Sequence, residues 1–199
     1  MRSKVLGSSL AVLTVLAASA LAQPPAGGGG RGRAPAPPAM RLMSSSFADG
    51  SVIPDKYTQA AGPNAVSPEL TWTNVPMGTV TFALLLHDPD VAINKKLEDV
   101  THWIAWNIPG TATKLEEGVK VGATLPDGTV QGKNRGGNNG YMGPGAPATA
   151  PEHHYTFELF ALDTKLDLGP DASREDVMKA IDGHILGKAV WEGRFHRQQ

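Results

Sequence analysis

Thr79-Val80-Thr81-Phe82-Ala83-Leu84-Leu85-Leu86 runs directly into His87-Asp88-Pro89-Asp90. The first stretch is rich in β-branched and aliphatic residues, and after Phe82 its apolar side chains occupy both alternating faces. A strand buried on both sides reads this way, whereas a half-exposed strand alternates. Pro89 removes a backbone donor and ends the strand. Asp-Pro-Asp taken alone is a turn, because aspartate caps turns and proline presets their geometry.

The same pattern continues outward. Thr101 to Ile108 places His102, Ile104, Trp106 and Ile108 on one parity and Trp103 and Ala105 on the other. Tyr155 to Leu162 puts Tyr155, Phe157, Leu159 and Ala161 on one face. Shorter strands are expected over Arg41–Phe47, Leu70–Thr73 and Ala189–Phe195. Ser173 followed by Asp176 marks a helix start, with Val177, Ala180, Ile181 and His184 at helical spacing and Gly183 or Gly187 to end it. Val119 to Gly140 is long and largely irregular. The expectation is a mainly β, Greek-key or sandwich-like antiparallel domain with a few short helices, one near the C-terminus.

The chain divides into three parts by composition. Met1-Arg2-Ser3-Lys4 is a short basic start, Val5 to Leu21 is apolar, and Ala20-Leu21-Ala22 resembles a cleavage site. Residues 1–22 therefore read as a signal peptide cleaved after Ala22, which predicts a periplasmic or secreted protein and no transmembrane segment after cleavage. Residues 23–39 are a Pro/Gly-rich flexible linker. Residues 40–199 are one domain large enough for a proper core. Loss of Arg2 and Lys4 would take the formal charge from −1 to −3, so no basic field points to nucleic acid. The absence of cysteine excludes disulfides, thiolate metal sites and a cysteine nucleophile.

Titratable side chains cluster where strand patterns meet turns. Asp88 and Asp90 flank Pro89, and His102 stands beside Trp103. If the strand extends back that far, His153 shares a face with Tyr155, while His154 points to the other side. Asp88, His102, His153 and Tyr155 are expected to surround one pocket. The run Gly136-Gly137-Asn138-Asn139-Gly140-Tyr141-Met142-Gly143-Pro144-Gly145 lets backbone approach a ligand closely. It is neither a P-loop nor a dinucleotide fingerprint.

These residues resemble a known family. His87-Asp88-Pro89-Asp90, Thr101-His102-Trp103-Ile104-Ala105-Trp106-Asn107-Ile108-Pro109, Gly140-Tyr141-Met142-Gly143-Pro144 and His153-His154-Tyr155-Thr156-Phe157 look like the phosphatidylethanolamine-binding protein (PEBP) family. Gly62-Pro63-Asn64, Ser67-Pro68-Glu69-Leu70 and Trp72 match its bacterial Raf-kinase-inhibitor-like branch, the YbhB/YbcL branch, so the resemblance spans Arg41 to Phe195. It implies a PEBP-like sandwich with a small anion pocket, whose ligand-binding residues map onto Asp88, Asp90, His102, Gly143, Pro144, His153 and Tyr155. Two positions depart from the family pattern: Val91-Ala92 stands where Ala-Pro usually follows Asp-Pro-Asp, and Ala146 replaces one of two consecutive prolines. Both prolines would stiffen the pocket rim.

The function expected is an exported binding protein rather than an enzyme. Its ligand would be a small phosphate- or carboxylate-bearing molecule or a phospholipid headgroup, in a regulatory setting, with no cofactor, catalytic residue or bound metal. Asp88 would hold one imidazole and favour its charged form. His102 or His153 would then donate to the anion, helped by the Gly143 N–H and the Tyr155 hydroxyl. A second reading is an inhibitor acting on an extracytoplasmic protease or another protein partner, as the resemblance suggests. A third is a metal-assisted hydrolase using Asp88, Asp90, His102 and His153, although their spacing matches no recognised metal signature. The resemblance also admits a homodimer.

Overall fold

The computed structural model describes residues 38–199, so the signal peptide and nearly all of the linker expected above lie outside the described residues. The strands are β1 (Arg41–Met43), β2 (Ser51–Val52), β3 (Leu70–Thr73), β4 (Thr81–Asp88), β5 (Val100–Pro109), β6 (Lys114–Leu115), β7 (Val130–Gln131), β8 (His153–Leu162) and β9 (Ile185–Phe195), with one α-helix, α1 (Arg174–Ile181). Two short 3-10 turns, Asp55–Tyr57 and Gln59–Asn64, lie between β2 and β3. A three-stranded sheet runs β1-β3-β6 and a six-stranded sheet runs β2-β9-β8-β4-β5-β7. Pairing is antiparallel except where β2 meets β9, which is parallel.

The doubly apolar pattern of β4 has its reason in this order. Phe82, Leu84 and Leu86 face the main core between the two sheets, together with Leu70, Trp72, Phe157 and Leu159. Ala83 and Leu85 face the opposite side, where Val177 and Ile181 of α1 cover them along with Ile104, Trp106 and Phe160. Trp72 meets the Phe82 ring edge-on at 5.2 Å and joins the sheets. The helix starts as its sequence predicts: Ser173 and Asp176 form a reciprocal capping box. It stops at Ile181 ahead of Gly183, whose φ of 82° suits glycine, so His184 lies beyond it.

Some expectations are corrected. The strand predicted over Arg41–Phe47 ends at Met43, because Ser44 turns its hydroxyl to the Glu69 carbonyl and accepts from the Ser46 N–H. The last strand begins at Ile185, earlier than expected, since β8 offers it a partner along its whole length. The simple parity of β5 fails at two bulges. Leu86 pairs with Trp103 but His87 with Thr101, which leaves His102 as the extra residue. Phe82 pairs with Ile108 but Leu84 with Ala105, so a second extra residue sits at Trp106-Asn107. Ile108 is thereby moved to the main core, away from the face of Ile104 and Trp106.

Asn107 holds that second bulge with φ of 57°. Its amide imitates a backbone pair: Nδ2 donates to the Leu166 carbonyl at 3.0 Å and Oδ1 accepts the Leu166 N–H at 2.8 Å. Asn107→Ala would strand both buried groups and place alanine at positive φ. We expect a loss of about 2–4 kcal/mol, measured by urea denaturation, from the orphaned groups and the backbone together.

Candidate functional site

The core becomes polar where β4, β5 and β8 end together. Asp88 is the last residue of β4 and only 3% exposed. A buried carboxylate is costly without partners, and its two oxygens find different ones. Oδ1 accepts the Asp90 N–H at 3.0 Å and closes the turn across Pro89. Oδ2 accepts from Nδ1 of His153, the first residue of β8, at 2.8 Å. The turn and the site are thus built by the same carboxylate.

Asp90 makes a matching contact on the far side of the strand. Its Oδ2 accepts the His154 N–H at 2.6 Å and lies 3.0 Å from His154 Nδ1. Burial opposes ionisation of Asp90, but these bonds from His154 outweigh it and hold the carboxyl below the ordinary carboxylate range. The Asp-Pro-Asp turn is therefore clasped to the start of β8 by an Asp–His pair on each side.

The bulge in β5 turns His102 to the side of Tyr155, whose ring it meets edge-on at 5.1 Å. Its Nδ1 lies 2.9 Å from the Met142 carbonyl. A carbonyl only accepts, so Nδ1 carries a proton and Nε2 is the nitrogen that titrates. Burial pushes the His102 pKa below the usual 6.5, against the opposing pull of the Met142 carbonyl and the Asp88 charge. Burial likewise pushes the Tyr155 phenol up to about 12, with Asp88 adding to it. The Tyr155 oxygen accepts the N–H groups of Gly145 at 3.2 Å and Ala146 at 3.0 Å. The acceptor side of Tyr155 thus holds the rim.

The rim itself is fastened from below. Gln59 donates its backbone N–H to the Pro144 carbonyl at 2.8 Å and Nε2 to the Gly143 carbonyl at 3.0 Å. Arg197 donates Nη2 to Gln59 Oε1 at 2.9 Å and its backbone N–H to the Ala146 carbonyl at 2.9 Å. Gly143 is required here by close approach, because a Cβ would lie 2.8 Å from the Thr58 carbonyl carbon.

These elements enclose a cavity of about 300 Å³. Asp88, His102, His153 and Tyr155 line it, as the sequence leads one to expect, whereas Asp90, Gly143 and Pro144 are not among its lining residues. Asp90 faces His154, and Gly143 and Pro144 form the wall that Gln59 supports. Sequence reasoning passed over Arg135, which lines the cavity and forms no ion pair among the described residues. Its backbone N–H donates to the Thr101 carbonyl at 2.8 Å, which brings the glycine-rich loop beside His102. A cation directly ahead of a glycine run was the available signal. Val91, Val100, Met142 and Pro147 supply an apolar wall. Among the described residues no three His, Asp or Glu converge in a metal-holding group.

Residues 43–196 match the phosphatidylethanolamine-binding protein family. The chain belongs to that family. It is 46% identical over 158 residues to a UPF0098 protein of Methanothermobacter thermautotrophicus, covering 79% of this chain and 99% of that one. Among solved structures it is similar to a putative PEBP homolog from Chlamydia trachomatis, with a TM-score of 0.68, 32% identity and coverage of 80% of this chain and 99% of that chain. It is also similar to E. coli YbcL, described as a member of the mammalian PEBP family, with a TM-score of 0.70, 28% identity and coverage of 81% and 100%. The mainly β fold and the resemblance to the YbcL branch both hold.

Because folding lowers the His102 pKa, the unfolded chain takes up this proton first as pH falls below 6.5, so stability is lost toward acid. We expect the urea midpoint to drop between about pH 7 and about pH 5, with a shallower slope in His102→Gln. Gly143→Ala would push the rim off Thr58 and cost about 1–3 kcal/mol by the same measurement.

Proposed function

We propose that this protein binds a small phosphate- or carboxylate-bearing ligand in the cavity of Asp88, His102, His153 and Tyr155, in the manner of a phospholipid headgroup. The observation that carries this reading is the set of groups with free capacity there: His102 Nε2, His153 Nε2 and the Arg135 guanidinium. With both imidazoles neutral, Arg135 and Asp88 cancel in charge. A proton on His102 Nε2 then adds one positive charge and one N–H donor facing the cavity. Asp88 orients His153 by accepting the hydrogen bond of its Nδ1–H, which leaves Nε2 for the ligand. The Tyr155 oxygen accepts two backbone N–H groups, which holds the phenol in place while its own O–H remains a donor that can help the imidazoles and Arg135 bind the anion. The Asp88 carboxylate also favours a ligand carrying an ammonium group beside its anion, as phosphoethanolamine does. The apolar charge-poor run of residues 1–22 supports export, so the site would work outside the cytoplasm.

Histidine-ring NMR at about pH 6, with inorganic phosphate and then phosphoethanolamine as probes, tests the reading. We expect saturable shifts of the His102 and His153 ring signals. Affinity should be roughly tenfold weaker at about pH 8 than at about pH 5.5, the worth of one charge-assisted hydrogen bond. A flat pH profile, or shifts spread over the surface instead of these rings, would reject it.

A further inference from the structure

Behind the rim lies a second cavity, of about 520 Å³, lined by Gly62, Pro63, Asn138, Tyr141 and Arg197. Gln59 and Met142 line both cavities, so the wall between them is one side chain thick at Gln59. The Gln59 amide lies flat on Gly145, where a Cβ would overlap it. It is kept there by the Gly143 carbonyl at 3.0 Å and by Arg197 at 2.9 Å. Its backbone bond to Pro144, at 2.8 Å, is independent of that side chain. The amide can therefore rotate away at the loss of its two side-chain bonds, each worth a net factor of about two to ten, without unfastening the rim.

We infer that Gln59 is a movable partition latched by Arg197, and that the site takes an anionic ester whose alcohol portion passes Gln59 into the second cavity. The inference rests on the anion-binding reading above and adds where the alcohol portion of the ligand goes. The chemistry supports an ester in particular. The charged end of the first cavity suits a phosphate, its wall of Val91, Val100 and Met142 suits a short carbon chain, and the second cavity offers Pro63 and the Tyr141 ring beyond. Tyr141 is held in place there, with its hydroxyl donating to the Tyr57 carbonyl at 2.5 Å and its ring edge-on to Trp103 at 5.7 Å. It therefore serves as a fixed reporter. The same phosphate monoester could come free in solution or as the headgroup of a lipid.

The test uses the domain in its full chain, with inorganic phosphate, phosphoethanolamine and n-hexyl phosphate as probes and the His102, His153 and Tyr141 ring signals as readouts. Hexyl phosphate should shift all three rings, and inorganic phosphate the histidines alone. In Gln59→Ala the ratio of hexyl phosphate affinity to inorganic phosphate affinity should rise by about three- to tenfold. Arg197→Ala, which leaves Gln59 in place and removes its latch, should raise the ratio in the same direction and keeps the test open if Gln59→Ala folds poorly. Binding of phosphatidic acid vesicles with the same Tyr141 shift would assign the lipid source, and binding of hexyl phosphate but not the vesicles would assign a free ester. Histidine shifts from hexyl phosphate without movement of Tyr141, or an unchanged ratio in both variants, overturn the partition alone. No histidine shift with any probe overturns the anion-binding reading and the partition with it.

Discussion

A carboxylate buried at the end of a central strand has to be answered by its surroundings, and Asp88 organises this end of the molecule for that reason. It is 3% exposed at the end of a strand whose preceding core-facing residue is Leu86, so the protein supplies partners to both of its oxygens. The turn across Pro89 provides one N–H and the first residue of β8 provides an imidazole. Those contacts fix where β8 begins and aim His153 at the cavity. The Asp90–His154 pair repeats the clasp on the other side, where it is exposed and correspondingly weaker in its contribution. The cavity exists because an apolar sandwich ends at a group it cannot bury alone.

Between Pro144 and Pro147 the rim is stiffened by hydrogen bonds. Ala146, where the resemblance leads one to expect the first of two prolines, donates its N–H to the Tyr155 hydroxyl at 3.0 Å. A proline there would have no N–H to give. Here a hydrogen bond restrains the backbone, reinforced by Gln59 and Arg197 from beneath. The difference matters physically, since hydrogen bonds to side chains can be broken and remade by a ligand whereas a pyrrolidine ring cannot be bent away. Val91, at the other departure, faces the cavity and contributes apolar wall.

The fold was legible because its signals were local periods. Runs of apolar residues on both faces of β4, alternation in β8 and the Ser173–Asp176 cap depend only on neighbours in sequence. Bulges were not legible, since an extra residue is defined by the partner strand and not by the strand that carries it. Simple parity put His102 with Ile104 and Trp106; pairing with β4 turns it toward Tyr155. The grouping of His102 with Asp88, His153 and Tyr155 came from motifs read as a set and survives that correction of its face. Gln59 and Arg197 left no trace in the sequence, as their roles come from contacts across 84 and 138 residues. Asp90, Gly143 and Pro144 belong to the machinery that shapes the cavity while standing outside its lining.

The opposite face of the same strand end explains why the site can be rigid. His87 precedes Asp88 and therefore points away from the cavity, where its Nδ1 lies 2.8 Å from Asp99 Oδ2. Asp99 also pairs with Arg174 at the start of α1, and Glu158 on β8 pairs with Lys188 on β9. His87 Nε2 is 3.7 Å from Glu158 Oε2, too long for a hydrogen bond, and is buried without a partner. Adjacent residues thus divide the work at one strand end: His87 braces the scaffold outside, and Asp88 builds the polar cavity inside.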